Sequence, residues 1–155
     1  MTSTRFRRIA TIVVAVLFAL SIGAVALTRD GAVHPAKISR GDAGGAIFER
    51  PDMLRTEHDS GNVTLDVTTL KSSDGKFASG MYRSDASLID IDEPYGVDEF
   101  MYFLEGGVTL TSPDGTVQTI NAGEAVTIPK EWTGTWDTEG YTKIWVIYSE
   151  DGSGL

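Results

Sequence analysis

The chain has 155 residues, with 13 basic and 22 acidic side chains and no cysteine. This excludes a disulfide framework, a thiol nucleophile, thiolate metal sites and a lipid-modified cysteine, so packing alone must stabilise the fold. A formal charge of −9 repels phosphate backbones and anionic lipid, which argues against nucleic acid as a partner and otherwise serves solubility.

Residues 1–27 stand apart from the rest. Arg5, Arg7 and Arg8 precede an apolar stretch from Ile9 to Leu20, and Ala24-Val25-Ala26 has the small-x-small pattern of a signal-peptidase site. The segment reads either as a cleaved signal peptide or as an N-terminal membrane anchor. Ile9 to Leu27 spans about 28 Å as a helix, close to a hydrocarbon core of roughly 30 Å. The arginines keep the N-terminus cytoplasmic in both cases, so the remainder is expected to be exported to the periplasm or the extracellular space. If uncleaved, residues 9–27 are the expected contact with the membrane. Cleavage after Ala26 would leave 129 residues with 10 basic and 22 acidic side chains, enough for one domain.

Residues 28–60 read as a linker and arm. Thr28 to Gly45 is rich in small and polar residues without apolar periodicity, and Ile47 to Glu57 reads as a short helix or an arm. Residues 61–150 read as the folded domain. From Val63 onward β-branched and aromatic residues dominate, interrupted by Ser73-Asp74-Gly75, Pro113-Asp114-Gly115, Asn121-Ala122-Gly123 and Thr138-Glu139-Gly140. The predicted strands are Val63–Leu70, Phe77–Arg83, Leu88–Ile91, Glu99–Leu104, Val108–Thr111, Thr116–Ile120, Ala125–Ile128 and Thr142–Tyr148. Short strands without helical spacers predict an all-β antiparallel sandwich or barrel. Residues 151–155 read as a disordered tail.

Two of these strands are apolar on both faces. Met101 and Phe103 alternate with Phe100, Tyr102 and Leu104; Trp145 and Ile147 alternate with Ile144, Val146 and Tyr148. One face needs the barrel interior, and the other needs the chain's own arm or a second subunit. A homodimer is therefore expected.

The stretches Asp98-Glu99-Phe100, Tyr102-Phe103-Leu104-Glu105-Gly106, Gly123-Glu124-Ala125, Pro129 and Gly134-Thr135-Trp136 resemble the cupin superfamily. Within it they are most similar to the branch named for the cupin domain of (S)-ureidoglycine aminohydrolase. The resemblance covers roughly Gly75 to Tyr148 and implies a cupin-type double-stranded β-helix, a jelly-roll barrel. It also implies a metal held by two histidines one residue apart, a glutamate four positions later and a third histidine on a second motif. Glu99 stands at the glutamate position, but Glu93, Tyr95 and Gly134 stand where the histidines would be. The chain's two histidines, His34 and His58, lie before the first predicted strand of the domain. No metal cofactor is therefore expected. A divalent ion held by Asp90, Asp92, Glu93, Asp98 and Glu99 is the less favoured alternative, because the first three read as a solvated acidic turn.

Strand alternation places Glu99 on the inward face with Met101 and Phe103, where a carboxylate must find a partner or gain a proton. Trp136 and Tyr95, with Trp132, Tyr82 and Tyr141 near them, suit the walls of a pocket, and Gly134 leaves space beside it. The pocket candidates are thus Glu99, Trp136, Tyr95, Glu93, Met101 and Gly134. They predict a barrel that binds a small polar molecule. Two alternatives are a hydrolase or lyase acting on a small ureide, amide or sugar acid through Glu93 and Glu99, and a structural dimerisation module with a filled interior.

Overall fold

From Leu54 onward the chain builds seven antiparallel strands, rich in β-branched and aromatic residues, in a computed structural model that describes residues 32–155. They are β1 (Leu54–Glu57), β2 (Val63–Lys71), β3 (Phe77–Ile91), β4 (Asp98–Thr111), β5 (Val117–Asn121), β6 (Ala125–Ile128) and β7 (Gly134–Tyr148). The order across the sheet is β1-β2-β3-β7-β4-β5, and β6 pairs with the other half of β4. This all-β antiparallel sheet fits the barrel that the motifs imply. The expected signal or anchor segment, residues 1–27, lies outside the described residues. Among the described residues no helix is long and apolar enough to cross a membrane.

Three strands are longer than their sequences predict. The predicted pairs Phe77–Arg83 with Leu88–Ile91, and Glu99–Leu104 with Val108–Thr111, fuse into the single strands β3 and β4. Thr138-Glu139-Gly140 lies inside β7 instead of forming a turn. The reason is bending without interruption: the β4–β7 register shifts between Phe103 and Glu105 and again between Gly106 and Thr109. At that bend Gly106 takes φ +65°, and a Cβ there would lie 2.0 Å from the Gly140 carbonyl oxygen. β7 also changes phase there, so that Trp136 and Thr138 are buried before Gly140, and Tyr141, Lys143 and Trp145 after it. Asp90 belongs to β3 and accepts from Thr135 Oγ1 at 3.1 Å; only Asp92 and Glu93 fall in the loop that follows.

The apolar residues form two layers. Inside the barrel, Met101, Phe103, Val108, Leu110, Ile120, Ile128, Trp136 and Tyr141 pack together. Outside the sheet, Ile47 and Phe48 pack on Val67 and Met81, with Ile38, Met53, Leu65, Leu104 and Ile144 around them. The arm thus supplies part of the outer cover. It contains one helical turn, α1 (Arg40–Ala43), inside the segment expected to be linker. A capping box sets that turn: Ser39 Oγ accepts from the Asp42 amide at 3.1 Å, and Asp42 Oδ2 accepts from the Ser39 amide at 2.8 Å. A 3-10 turn, Ala46–Glu49, then places Ile47 and Phe48 on the sheet.

The chain end is folded back where the sequence predicts a disordered tail. Asp151 accepts from the Ser153 hydroxyl at 2.6 Å, the Ser153 amide at 2.9 Å and Ser149 Oγ at 3.1 Å, bonds that hold its carboxyl down to about 2. Lys71 Nζ donates to the Leu155 carbonyl oxygen at 3.1 Å, so the last residues lie along the barrel rim.

Candidate functional site

β4 and β7 pair with Phe103 opposite Lys143 and Met101 opposite Trp145, which brings the inward residues of both strands to one wall. On β4, Glu99 is 4% exposed and Met101 fully buried; on β7, Lys143 is 5% exposed. Lys143 Nζ donates to Glu99 Oε1 at 2.7 Å and lies 2.9 Å from Met101 Sδ. Tyr95, in the loop before β4, donates its hydroxyl to Glu99 Oε2. Both carboxylate oxygens of Glu99 therefore have partners. The ring centroids of Tyr82 and Trp136 lie 5.4 Å from Lys143 Nζ and that of Tyr141 lies 5.7 Å away, a distance at which the ring faces attract the ammonium.

Glu99, Lys143, Tyr95 and the three rings line a cavity of about 540 Å³ within the barrel. The wall opposite comes from β2, whose apolar face is turned outward to the arm and whose Thr64 and Asp66 point inward. Trp145 Nε1 donates to Asp66 Oδ1 at 3.1 Å. Burial pushes the Asp66 carboxyl above its usual range, outweighing that hydrogen bond and the nearby Lys143 charge. Burial, and then the Glu99 charge, raise Tyr95 far above a usual phenol; burial raises Tyr141 as well. Both phenols therefore remain neutral hydroxyls throughout the physiological range. Towards solvent the cavity is bordered by His58, Ser60, Leu88 and Ile89, the last two 70% and 48% exposed.

Of the candidates from sequence, Glu99, Tyr95 and Trp136 line the cavity, and Met101 lies directly behind Lys143. Two do not join them. Glu93 is exposed on the loop after β3. Gly134 sits at the start of β7 with φ +148°, where a Cβ would lie 2.3 Å from the Thr111 carbonyl oxygen and 2.8 Å from Trp132 Cζ2. Its missing side chain lets two strands approach and leaves no room for a ligand. Trp132 does not line the cavity either; its Nε1 donates to Ser112 Oγ at 3.1 Å.

Sequence reasoning missed Lys143 and Asp66. Lys143 has the same parity as the inward Trp145 and Ile147, so alternation places it inside, facing an inward glutamate. Asp66 carried no such signal, because the apolar face of β2 is the outer one.

The residues present do not fit the metal that the fold implies. Glu99 is committed to an ammonium and a phenol, and a second cation beside Lys143 Nζ would be repelled. Among the described residues no three His, Asp or Glu side chains converge.

Residues 71–143, just under half of the chain, match the family model described as the EutQ-like cupin domain. No curated protein matches the chain in sequence. Among solved structures, a protein of unknown function from Rhizobium leguminosarum is similar at 24% identity and a TM-score of 0.53, over 76% of this chain and 100% of that one. The Clostridium difficile EutQ protein is similar at 20% identity and a TM-score of 0.52, over 64% and 78% of the two chains. A Pseudomonas syringae protein of unknown function gives 16% identity and a TM-score of 0.56, over 61% of this chain but only 43% of its own. These likenesses establish the fold. The seven-stranded barrel has the cupin fold, and residues 71–143 are similar to the EutQ-like cupin domain.

Proposed function

We propose that the barrel binds a small polar molecule without a metal, between the Lys143–Glu99 pair and Asp66. The cavity of about 540 Å³ carries this reading, because a filled interior would serve only as scaffold. An ammonium has three donors. Lys143 spends one on Glu99 and turns another to the weakly accepting Met101 sulfur, which leaves a donor for an acceptor oxygen on the ligand. Asp66 receives Trp145 Nε1 on Oδ1, and its carboxyl, which lines the cavity, can also accept from the ligand's N–H or O–H. Trp136 and Tyr141 offer ring faces to the ligand's body. A carbonyl oxygen at one end and an amide or hydroxyl donor at the other match this wall. The small ureides and amides implied by the (S)-ureidoglycine aminohydrolase branch have that pattern, and so do hydroxy acids.

Melting the purified full chain against a panel of ureides, amides and hydroxy acids tests the reading. At least one compound should raise the melting temperature, and Asp66→Asn should weaken its effect. A panel without any stabilising compound counts against it.

The same reading includes export by residues 1–27 and a homodimer. What supports the dimer is the part of the outer face that the arm leaves uncovered: Phe77, Phe100, Tyr102 and Tyr148 are 37%, 43%, 38% and 49% exposed. Register makes them neighbours, since Tyr148 pairs with both Phe77 and Asp98, and Phe100 lies across from Val146.

A further inference from the structure

Lys143 is the one lysine that lines the cavity among the described residues, and its amine becomes a nucleophile on that wall once it gives up a proton. A buried lysine beside a carboxylate and a phenol, against aromatic rings, has the parts needed to condense with a carbonyl group. Glu99 Oε1 lies 2.7 Å from Nζ and so can take the ammonium's proton, and Tyr95 is bonded to the other oxygen of the same carboxyl. The surrounding rings of Tyr82, Trp136 and Tyr141 keep bulk water from the amine, and water is the product that must leave.

We propose that Lys143 forms an imine with small aldehydes, ketones or 2-oxo acids that enter the barrel, an activity that rests on the cavity admitting a ligand as read above. In the balanced step, one Nζ proton passes to Glu99, the Nζ lone pair attacks the carbonyl carbon as the C=O π pair moves to oxygen, and a second nitrogen proton transfers to that oxygen, giving a carbinolamine. Its hydroxyl takes the proton back from Glu99 and leaves as water, while the nitrogen lone pair forms the C=N bond and the third nitrogen proton is retained as iminium or lost to solvent. No oxidant or reductant takes part. Tyr95 is a positioning residue that orients the Glu99 carboxyl.

The test is reductive trapping. The full chain is incubated with glyoxylate, pyruvate or acetaldehyde and cyanoborohydride, and modified lysines are mapped by peptide mass. Labelling of Lys143 at least about tenfold faster than of the exposed Lys71 and Lys76 is the expected result, since a bound carbonyl is held beside the amine. Lys143→Arg should remove that adduct, and Tyr95→Phe should slow it without affecting the exposed lysines. Mapping in the unaltered chain decides the matter even if a variant fails to fold. Lys143 labelled no faster than the exposed lysines overturns the proposal. A probe that raises the melting temperature but leaves Lys143 unlabelled also overturns it, while leaving the binding reading intact.

Discussion

Two charges share the inner wall of the barrel, and removing either strands the other. Breaking a buried pair at one partner costs about 3–5 kcal/mol, whereas replacing both by well-packed apolar groups is often neutral or stabilising. Glu99→Gln and Lys143→Met are each expected to destabilise by that amount. Glu99→Met with Lys143→Met should recover most of the loss, and denaturant melts of the four proteins in a double-mutant cycle measure it. Asp66 gives a pH signature. Its carboxyl binds a proton more tightly in the folded than in the unfolded chain, so its contribution is present below the unfolded value and lost as pH rises through the raised folded value. Asp66→Asn should therefore raise the melting temperature at neutral pH and flatten its decline above the usual carboxylate range. A steeper decline in the variant would contradict the assignment. Glu99 was legible because motif position and alternation agree on it, and Tyr95 and Trp136 because they are aromatic residues at or beside motif positions. Asp66 was not, because polarity on a single strand does not say which side is covered.

At the scale of elements, turns at Gly75, Gly115 and Gly123 were legible as glycine-marked interruptions of apolar runs. Strand length was not. A bulge keeps a bent strand hydrogen-bonded through residues that read locally as a turn, and the tertiary partner, here the β4–β7 ladder, decides which outcome occurs. Gly134 shows the same dependence on context. The family's missing histidine cannot be restored there by Gly134→His, because a side chain would meet the Thr111 carbonyl and the Trp132 ring. We expect that substitution to cost at least about 1–3 kcal/mol, from backbone strain alone, and to confer no zinc-dependent rise in melting temperature. A zinc-stabilised variant would show that the start of β7 can adopt the family's geometry.

At the scale of the whole molecule, two-faced apolar strands predicted an outer cover, and the arm at Ile47 and Phe48 supplies part of it. The sequence left the choice between arm and subunit open, since both bury the same residues. The remaining patch predicts a homodimer in solution, measured as mass by light scattering, which Phe100→Glu should convert to monomer. A monomeric parent chain would show that this face stays wet.

The central claim is that a tethered ammonium, held by a glutamate, stands where a cupin of this motif would hold a metal and organises a ligand site. Melting the full chain before and after exhaustive chelation, with and without the small polar compounds, tests it most directly. The account predicts a melting temperature that chelation leaves unchanged and that a compound of the ureide, amide or hydroxy-acid class raises. A fall on chelation that zinc, manganese or iron restores would contradict it.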